Sequence, residues 1–266
     1  MSTLKYLLIG IVLLYILMGA VIYFFQEKFI FLPAVLPSDF QFRLEVPYEE
    51  HMLETHENGR INLLHLKTDS SKGLIVYFHG NAGSLDRWSK IVEPFAGLGY
   101  EVLICDYRGY GKSQGEITQE NLLHDADEVY SFALTLEEED RIIVFGRSLG
   151  SGFASYLAGK YSPGKLILET PFYSLEAEAN RRFMIYPVSW LLRYQLKNHE
   201  FLKTNKAPVY VFHGTEDKVV SYESGTRLFN KVPSNEGKFI TIVGGYHNNL
   251  SEYPLYWQEI KTLLHE

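Results

Sequence analysis

The sequence predicts an α/β fold with a doubly wound, mostly parallel sheet, an antiparallel start, and a single apolar helix ahead of it. Three observations carry this prediction. Six short apolar runs beyond residue 70 are continuous rather than alternating, the pattern of strands buried on both faces beneath helices. Helix-like segments separate several of those runs, as in doubly wound sheets. Tyr48 to Lys67 reads as a pair of strands, and Tyr6 to Phe25 carries no charge in 20 residues.

In chain order, the first element is YLLIGIVLLYILMGAVIYFF, Tyr6 to Phe25. As a helix it spans about 30 Å, the thickness of a bilayer's hydrocarbon core. A cleavable signal has an apolar stretch of roughly 7–15 residues and then a small-x-small site. This run is longer, and its one candidate site, Met18-Gly19-Ala20, starts with a bulky Met. An uncleaved single-pass anchor is therefore expected. A long soluble core helix would normally carry a polar face, which this run lacks. Lys5 precedes the helix while Lys28 and Arg43 follow it, so charge nearly balances across the membrane. The short leading segment leans toward export of the domain beyond the helix. Phe29 to Leu32 and Pro33 are expected at the membrane interface. Residues 1–33 are read as anchor and juxtamembrane segment, and 34–266 as one domain.

Composition narrows the classes for that domain. Of the whole chain, 46% is hydrophobic and 21% charged, which excludes a disordered tail and a polytopic membrane protein. The net charge of -7 comes with no basic run, so a phosphate backbone would repel it and no nucleic-acid partner is expected. One cysteine, Cys105, excludes an intrachain disulfide framework and a cysteine-rich zinc site.

Asn58-Gly59 between two strand-like stretches reads as the type I′ turn of a hairpin. The continuous runs follow at Leu74–Phe78, Val102–Cys105, Ile142–Phe145, Leu166–Leu168, Val209–Phe212 and Phe239–Val243. Helices are expected over Asn121–Leu136, Leu149–Lys160 and Tyr222–Lys231. In such sheets the site lies at the carboxyl ends of the strands, so the residue types just after each run matter most.

Gly146-Arg-Ser-Leu-Gly150 fits G-x-S-x-G, between an apolar strand and a small-residue helix. A sharp strand-turn-helix needs glycine on both sides and lifts the Ser148 hydroxyl to the top of the sheet. A phosphate loop or a plain tight turn is the alternative. A serine needs a base, and the base an orienting carboxylate. His247 follows the last run and Asp217 the one before it.

The order Ser148, Asp217, His247, with His79-Gly-Asn-Ala-Gly83 and Asp106 to Ser113, resembles the α/β-hydrolases over roughly residues 45–266. It is most similar to the single-anchor α/β-hydrolase-domain branch, several of whose members are depalmitoylating thioesterases or esterases. The resemblance implies Ser148 as nucleophile, His247 as base and Asp217, in a Gly-x-x-Asp turn, as acid. Glu169 and the adjacent Glu216 stay open as alternative acids. The tetrahedral intermediate needs backbone donors. The Leu149 amide supplies one and Asn81 the other, with Ala82 the alternative if the loop shifts by one residue. His79 and His213 are structural by the same resemblance, and the remaining histidines, His65 among them, are most simply solvated. Asp106 and Arg108 are read as shaping a loop beside the site. A metal site from His79, His213 and His247 competes with a triad that already uses His247, so no metal and no cofactor are expected.

Residues 171–207 occupy the fold's lid position and are too short for a large cap. They read as a small helical hairpin kinked at Pro187. Either it packs on the sheet, or Phe183 and Trp190 line a groove for an acyl chain with Arg181, Arg182, Arg193 and Lys197 toward headgroups. The expected function is a membrane-anchored serine hydrolase cleaving carboxylic esters or thioesters through an acyl-enzyme, on a small or lipid-linked acyl ester. A peptidase or amidase on the same triad, or a non-catalytic tethered binding protein, are the alternatives. No catalytic residue precedes His79, so a chain starting near Pro33 is expected to be soluble and to keep activity on a small ester.

Overall fold

The uncharged run sits within one helix, α1 (Ser2–Ile30). The protein is seen here as a computed structural model, which describes residues 2–233 and 237–265. Leu7, Leu13 and Leu17 of α1 are each about three-fifths exposed. Among the described residues, Thr3–Ile30 is the one helix long and apolar enough to cross a membrane.

The chain then enters a two-residue strand, β1 (Leu32–Pro33), and an antiparallel hairpin of β2 (Tyr48–Thr55) and β3 (Gly59–Leu66). The turn is displaced by one residue from the expected Asn58-Gly59. Glu57 and Asn58 are the left-handed pair, at φ 51° and 53°. Gly59 already belongs to the strand, where a Cβ would collide with the Thr55 hydroxyl and the Arg108 guanidinium. Its glycine serves a close approach rather than a positive φ.

Beyond the hairpin come β4 (Leu74–Phe78), a short β5 (Ala82–Gly83), α2 (Leu85–Gly97), β6 (Glu101–Cys105), α3 (Gln119–Ala133), β7 (Ile142–Arg147), α4 (Gly150–Lys160) and β8 (Lys165–Glu169). The expected lid contains α5 (Leu175–Arg182), α6 (Val188–Leu191) and α7 (Asn198–Phe201). The chain continues with β9 (Val209–Gly214), α8 (Tyr222–Phe229), β10 (Gly237–Ile242) and α9 (Pro254–His265). Thr118, Ser174 and Ser221 each accept a backbone N–H at the start of α3, α5 and α8, caps that stabilise by about 1 kcal/mol apiece.

The eight-stranded sheet has the order β10-β9-β8-β7-β4-β6-β3-β2. All neighbours are parallel except β2–β3 and β3–β6. Along β4 and β7, Val76 and Val144 feed one core while Ile75, Tyr77, Ile143 and Phe145 feed the other. That is why these runs are continuously apolar: both faces of the sheet are covered. The sequential direction of strand addition reverses around β4, and the loops after β4 and β7 open into the crevice this leaves.

Two features tie the loops down. Buried Arg108 holds Asp125 through Nε at 2.7 Å and Nη2 at 2.9 Å, joining the 106–113 loop to α3. Leu32 N–H donates to Asn81 O at 2.9 Å, Ala34 N–H to Gly83 O at 2.9 Å and Leu36 N–H to Gly111 O at 2.9 Å. The boundary expected between residues 33 and 34 therefore falls inside a segment already paired to the domain.

Candidate active site

Ser148 occupies a backbone position that only tight packing holds in place. Its φ is +51°, a left-handed conformation that costs a non-glycine residue of order 1–3 kcal/mol. Ser148 N–H donates to Glu169 O at 2.9 Å. A Cβ on Gly146 would come within 2.5 Å of Ala154 Cβ, and one on Gly150 would overlap the Phe78 carbonyl. The two glycines let α4 begin directly against β4 and β7, which raises the Ser148 side chain above the strand ends.

His247 arrives from the turn after β10. Its Nε2 lies 2.9 Å from Ser148 Oγ and its Nδ1 2.7 Å from Asp217 Oδ2. Asp217 is 8% exposed and takes Val219 and Val220 N–H on Oδ1 at 2.8 and 3.0 Å. His213 Nε2 stands 3.4 Å from Oδ2. Burial pushes this carboxyl upward, but hydrogen bonds from His213, His247 and Val220 outweigh it and hold the group well below the usual carboxylate range. An ionised carboxylate only accepts hydrogen bonds, so His247 Nδ1 carries the proton. In the neutral ring, Nε2 is then free to accept from Ser148 Oγ–H.

The two alternative acids lie elsewhere. Glu216 is exposed. Glu169 Oε1 is 3.1 Å from Arg147 Nε, and its Oε2 accepts the Tyr256 hydroxyl at 2.9 Å. Both members of that ion pair are buried, and Arg147 Nη2 reaches His247 O and Asn248 Oδ1 at 3.5 Å. Arg147 thus braces the loop that carries His247. Sequence reasoning missed it, because nothing distinguishes a buried arginine from a solvated one inside Gly-Arg-Ser.

Asn81 and Leu149 share a cavity wall with Ser148. Among the described residues, neither backbone N–H donates to a protein acceptor, and the Leu149 amide points from the start of α4. The Asn81 loop is clamped from three sides. Its carbonyl accepts Leu32 N–H at 2.9 Å and the Tyr110 hydroxyl at 2.7 Å, and its Nδ2 donates to Ile30 O at 3.3 Å. Ala82 lies in the ladder with Leu32. A two-residue ladder has no sequence signal of its own.

The cavity holds about 170 Å³ and opens to solvent at its mouth. Ile22, Gln26, Phe29 and Ile30 of α1 form one wall. No catalytic residue was expected before His79; what α1 adds there is lining. Phe183, Val188, Leu191 and Leu192 of the lid also line it. Trp190 does not line it and is 85% exposed. In a helix, positions 188, 191 and 192 share a face, while 190 lies about 100–200° away from them. Pro187 is the residue before α6 rather than a kink within a helix.

His79 and His213 are fully buried in separate surroundings. His79 Nε2 lies 3.3 Å from Asp106 Oδ1 and its ring stacks on Trp88, while His213 Nε2 bonds Val220 O at 3.1 Å. His65, expected in solvent, is buried against Glu101. Glu49, His51 and His65 gather donor atoms within 4.8 Å of one another on the hairpin. Lys67 Nζ sits 3.1 Å from the Glu49 carboxylate and already supplies a cation there.

A family model described as serine aminopeptidase, S33 (Hydrolase_4) matches residues 69–204 and 191–254. An uncharacterized membrane protein of Saccharomyces cerevisiae is 28% identical over 229 residues, 83% of this chain and 81% of that one. The lysophosphatidylserine lipase ABHD12 of Mus musculus is 29% identical over 185 residues, 60% of this chain. The match spans 46% of that lipase, so this chain corresponds to about half of it. Among solved structures, an esterase of Pyrococcus furiosus superposes with a TM-score of 0.71 at 19% identity, covering 88% of this chain and 98% of that one; at that identity the likeness speaks for the fold alone.

Proposed function

The chain belongs to the serine aminopeptidase S33 family of α/β-hydrolases, and from that premise we propose that it is a membrane-anchored serine hydrolase of carboxylic esters or thioesters. The observation that carries this reading is the run Ser148 Oγ, His247 Nε2, His247 Nδ1, Asp217 Oδ2 at 2.9 and 2.7 Å, beside a largely apolar cavity. Similarity to a lysophosphatidylserine lipase supports an acyl ester as substrate.

In this reading His247 Nε2 takes the Ser148 proton as Oγ attacks the acyl carbon. The resulting oxyanion is held by the Leu149 and Asn81 N–H groups. Collapse expels the alcohol or thiol, which takes the proton from His247. Water, deprotonated by the same imidazole, then releases the acid from the acyl-enzyme and returns the proton to Ser148. Asp217 keeps its charge throughout and stabilises the imidazolium.

The family description raises a peptidase alternative. An aminopeptidase needs a free carboxylate for the substrate's terminal ammonium. The one carboxylate lining the cavity among the described residues, Glu178, is engaged by Arg181 at 3.2 Å. This favours an acyl chain over a peptide.

The test is a fluorophosphonate probe on the full chain in membranes. Ser148 should be labelled, and Ser148→Ala should abolish labelling and lower turnover of a small ester by about 10⁶-fold. Labelling that persists in Ser148→Ala would overturn the assignment.

A further inference from the structure

The lid hairpin lies alongside α1. The rings of Tyr15 and Tyr186 stack at 4.6 Å and 6°, and Tyr15 Oη donates to Ile185 O at 2.8 Å. A Cβ on Gly19 would come within 3.3 Å of the Tyr186 ring, so a glycine there lets the ring lie close to the helix. Nearer the domain, Gln26 is buried with both ends of its amide spent on the lid. It donates to Leu191 O at 3.0 Å and accepts Arg193 N–H at 2.8 Å. Glu27 adds the Arg193 guanidinium at 2.8 Å and the Tyr194 hydroxyl at 2.7 Å. From Tyr15 to Glu27 the helix rises about 18 Å, and the lid follows it over that length.

This places the lid tip at the middle of the uncharged span. Tyr15 lies inside the run Tyr6–Phe25, so a residue stacked on it stands at bilayer depth if α1 spans. The tip carries Met184, Ile185 and Trp190 at 84%, 73% and 85% exposure. Three such side chains, next to a helix whose own leucines are exposed, form an apolar surface suited to lipid. The cavity between α1 and the lid runs from Ile22 and Tyr186 past Leu191 to Ser148, and Tyr186, stacked on Tyr15, links it to the lid tip.

We propose that α1 is the inner wall of the acyl-binding site, and that the chain of a membrane-resident ester reaches Ser148 sideways from the lipid, between α1 and the lid tip. This rests on the hydrolase reading and extends it. The helix is fixed relative to the serine because it continues directly into β1, which pairs with the Asn81 loop. The same segment therefore anchors the protein, bounds the acyl site and braces the loop beside the nucleophile. Glutamine is the right residue at 26 because lid carbonyl and lid N–H both need a partner in an apolar setting.

Two experiments on the full chain in vesicles test this. The first measures kcat/KM for esters from acetyl to palmitoyl. Ile22→Trp narrows the cavity and should lower the palmitoyl-to-acetyl ratio about tenfold, the equivalent of roughly two buried methylenes. Ile22→Ala widens it and should move the optimum to longer chains, a shift that misfolding would not produce. Leu13→Trp, on the same helix but away from the cavity, should leave the ratio unchanged. An unchanged profile in both Ile22 variants, or an equal fall in Leu13→Trp, would overturn the proposal. The second experiment reads tryptophan quenching by lipids brominated along the acyl chain. Quenching that disappears in Trp190→Phe supports lateral entry at the lid tip, and no quenching of Trp190 would overturn it without touching the hydrolase reading. Absence of fluorophosphonate labelling and of turnover on every ester would instead fell the hydrolase reading, and the acyl site with it.

Discussion

The elbow at Ser148 and the wall made by α1 and the lid bound the same cavity, yet they are held by opposite means. The elbow is backbone. A strained serine, two glycines that nothing larger could replace, and buried polar groups aim one hydroxyl at one imidazole. The wall is assembled from side chains far apart in sequence, Tyr15 with Tyr186 and Gln26 with Leu191. It keeps much of its apolar surface exposed. Chemistry tolerates little displacement and so is built on rigid elements. A wall for an apolar group needs only shape and apolarity, so it can be made of a short hairpin and one apolar helix.

If this contrast is right, changes on the elbow side should act on turnover and changes on the wall side on selectivity. The largest effect is expected for His247→Ala, about 10⁶-fold in kcat, much like loss of the nucleophile. Asp217→Asn should cost about 10⁴-fold by favouring the wrong tautomer of His247. Both are read by steady-state kinetics on a soluble acetyl ester.

Glu169→Ala sharpens the comparison inside the elbow itself. It leaves Arg147 buried without its carboxylate, and should lower stability by about 3–5 kcal/mol in denaturant unfolding. The folded fraction should keep turnover within about tenfold of the parent, because Glu169 does not touch His247. If Glu169→Ala damaged turnover more than Asp217→Asn, the acid would be Glu169.

Smaller effects belong to the wall. Phe183→Ala should lower the palmitoyl-to-acetyl ratio of kcat/KM about tenfold. Trp190→Ala should change that ratio less than about twofold, since its indole lies outside the cavity. Equal effects at the two positions would erase the distinction between lining and lid tip.

The smallest effect is a pH dependence. The folded carboxyl of Asp217 is held below its unfolded value. Its contribution to stability is therefore complete above about pH 4 and fades as pH falls toward the lowered folded value. The stability gap between parent and Asp217→Asn should stay constant from about pH 8 to pH 5 and close only below about pH 4. A gap that stayed unchanged as pH fell from about 4 to 2 would show that the carboxyl is not held down.

Legibility in the sequence followed the same division. The strands were readable to within one or two residues because runs such as Leu74–Phe78 are buried on both faces. The elbow was readable because its geometry excludes all but glycine at two nearby positions. Asp217, Glu216 and Glu169 each follow a strand, and only the Gly-x-x-Asp turn of the resemblance favoured Asp217. What separates them is burial and partners: one faces His247, one faces solvent, and one belongs to Arg147 and Tyr256. The phase of a four-residue helix such as Val188–Leu191 is too short to read, so Trp190 looked as suitable a lining residue as its neighbours.

The order of elements, the strained serine turn and the apolar span come from local constraints: a residue's own φ, the burial of a run, the length of an uncharged helix. Each acts between neighbours along the chain and so is written in its sequence. The partner of Gln26, the clamp of Leu32 on the Asn81 loop, and the place of Arg147 beneath His247 depend on contacts between segments tens to more than a hundred residues apart. Such contacts form only when the sheet has brought the segments together, because a hydrogen bond between distant groups must first offset the entropy of closing the loop between them. Tertiary structure alone therefore made the apolar helix α1 a wall of the candidate cavity.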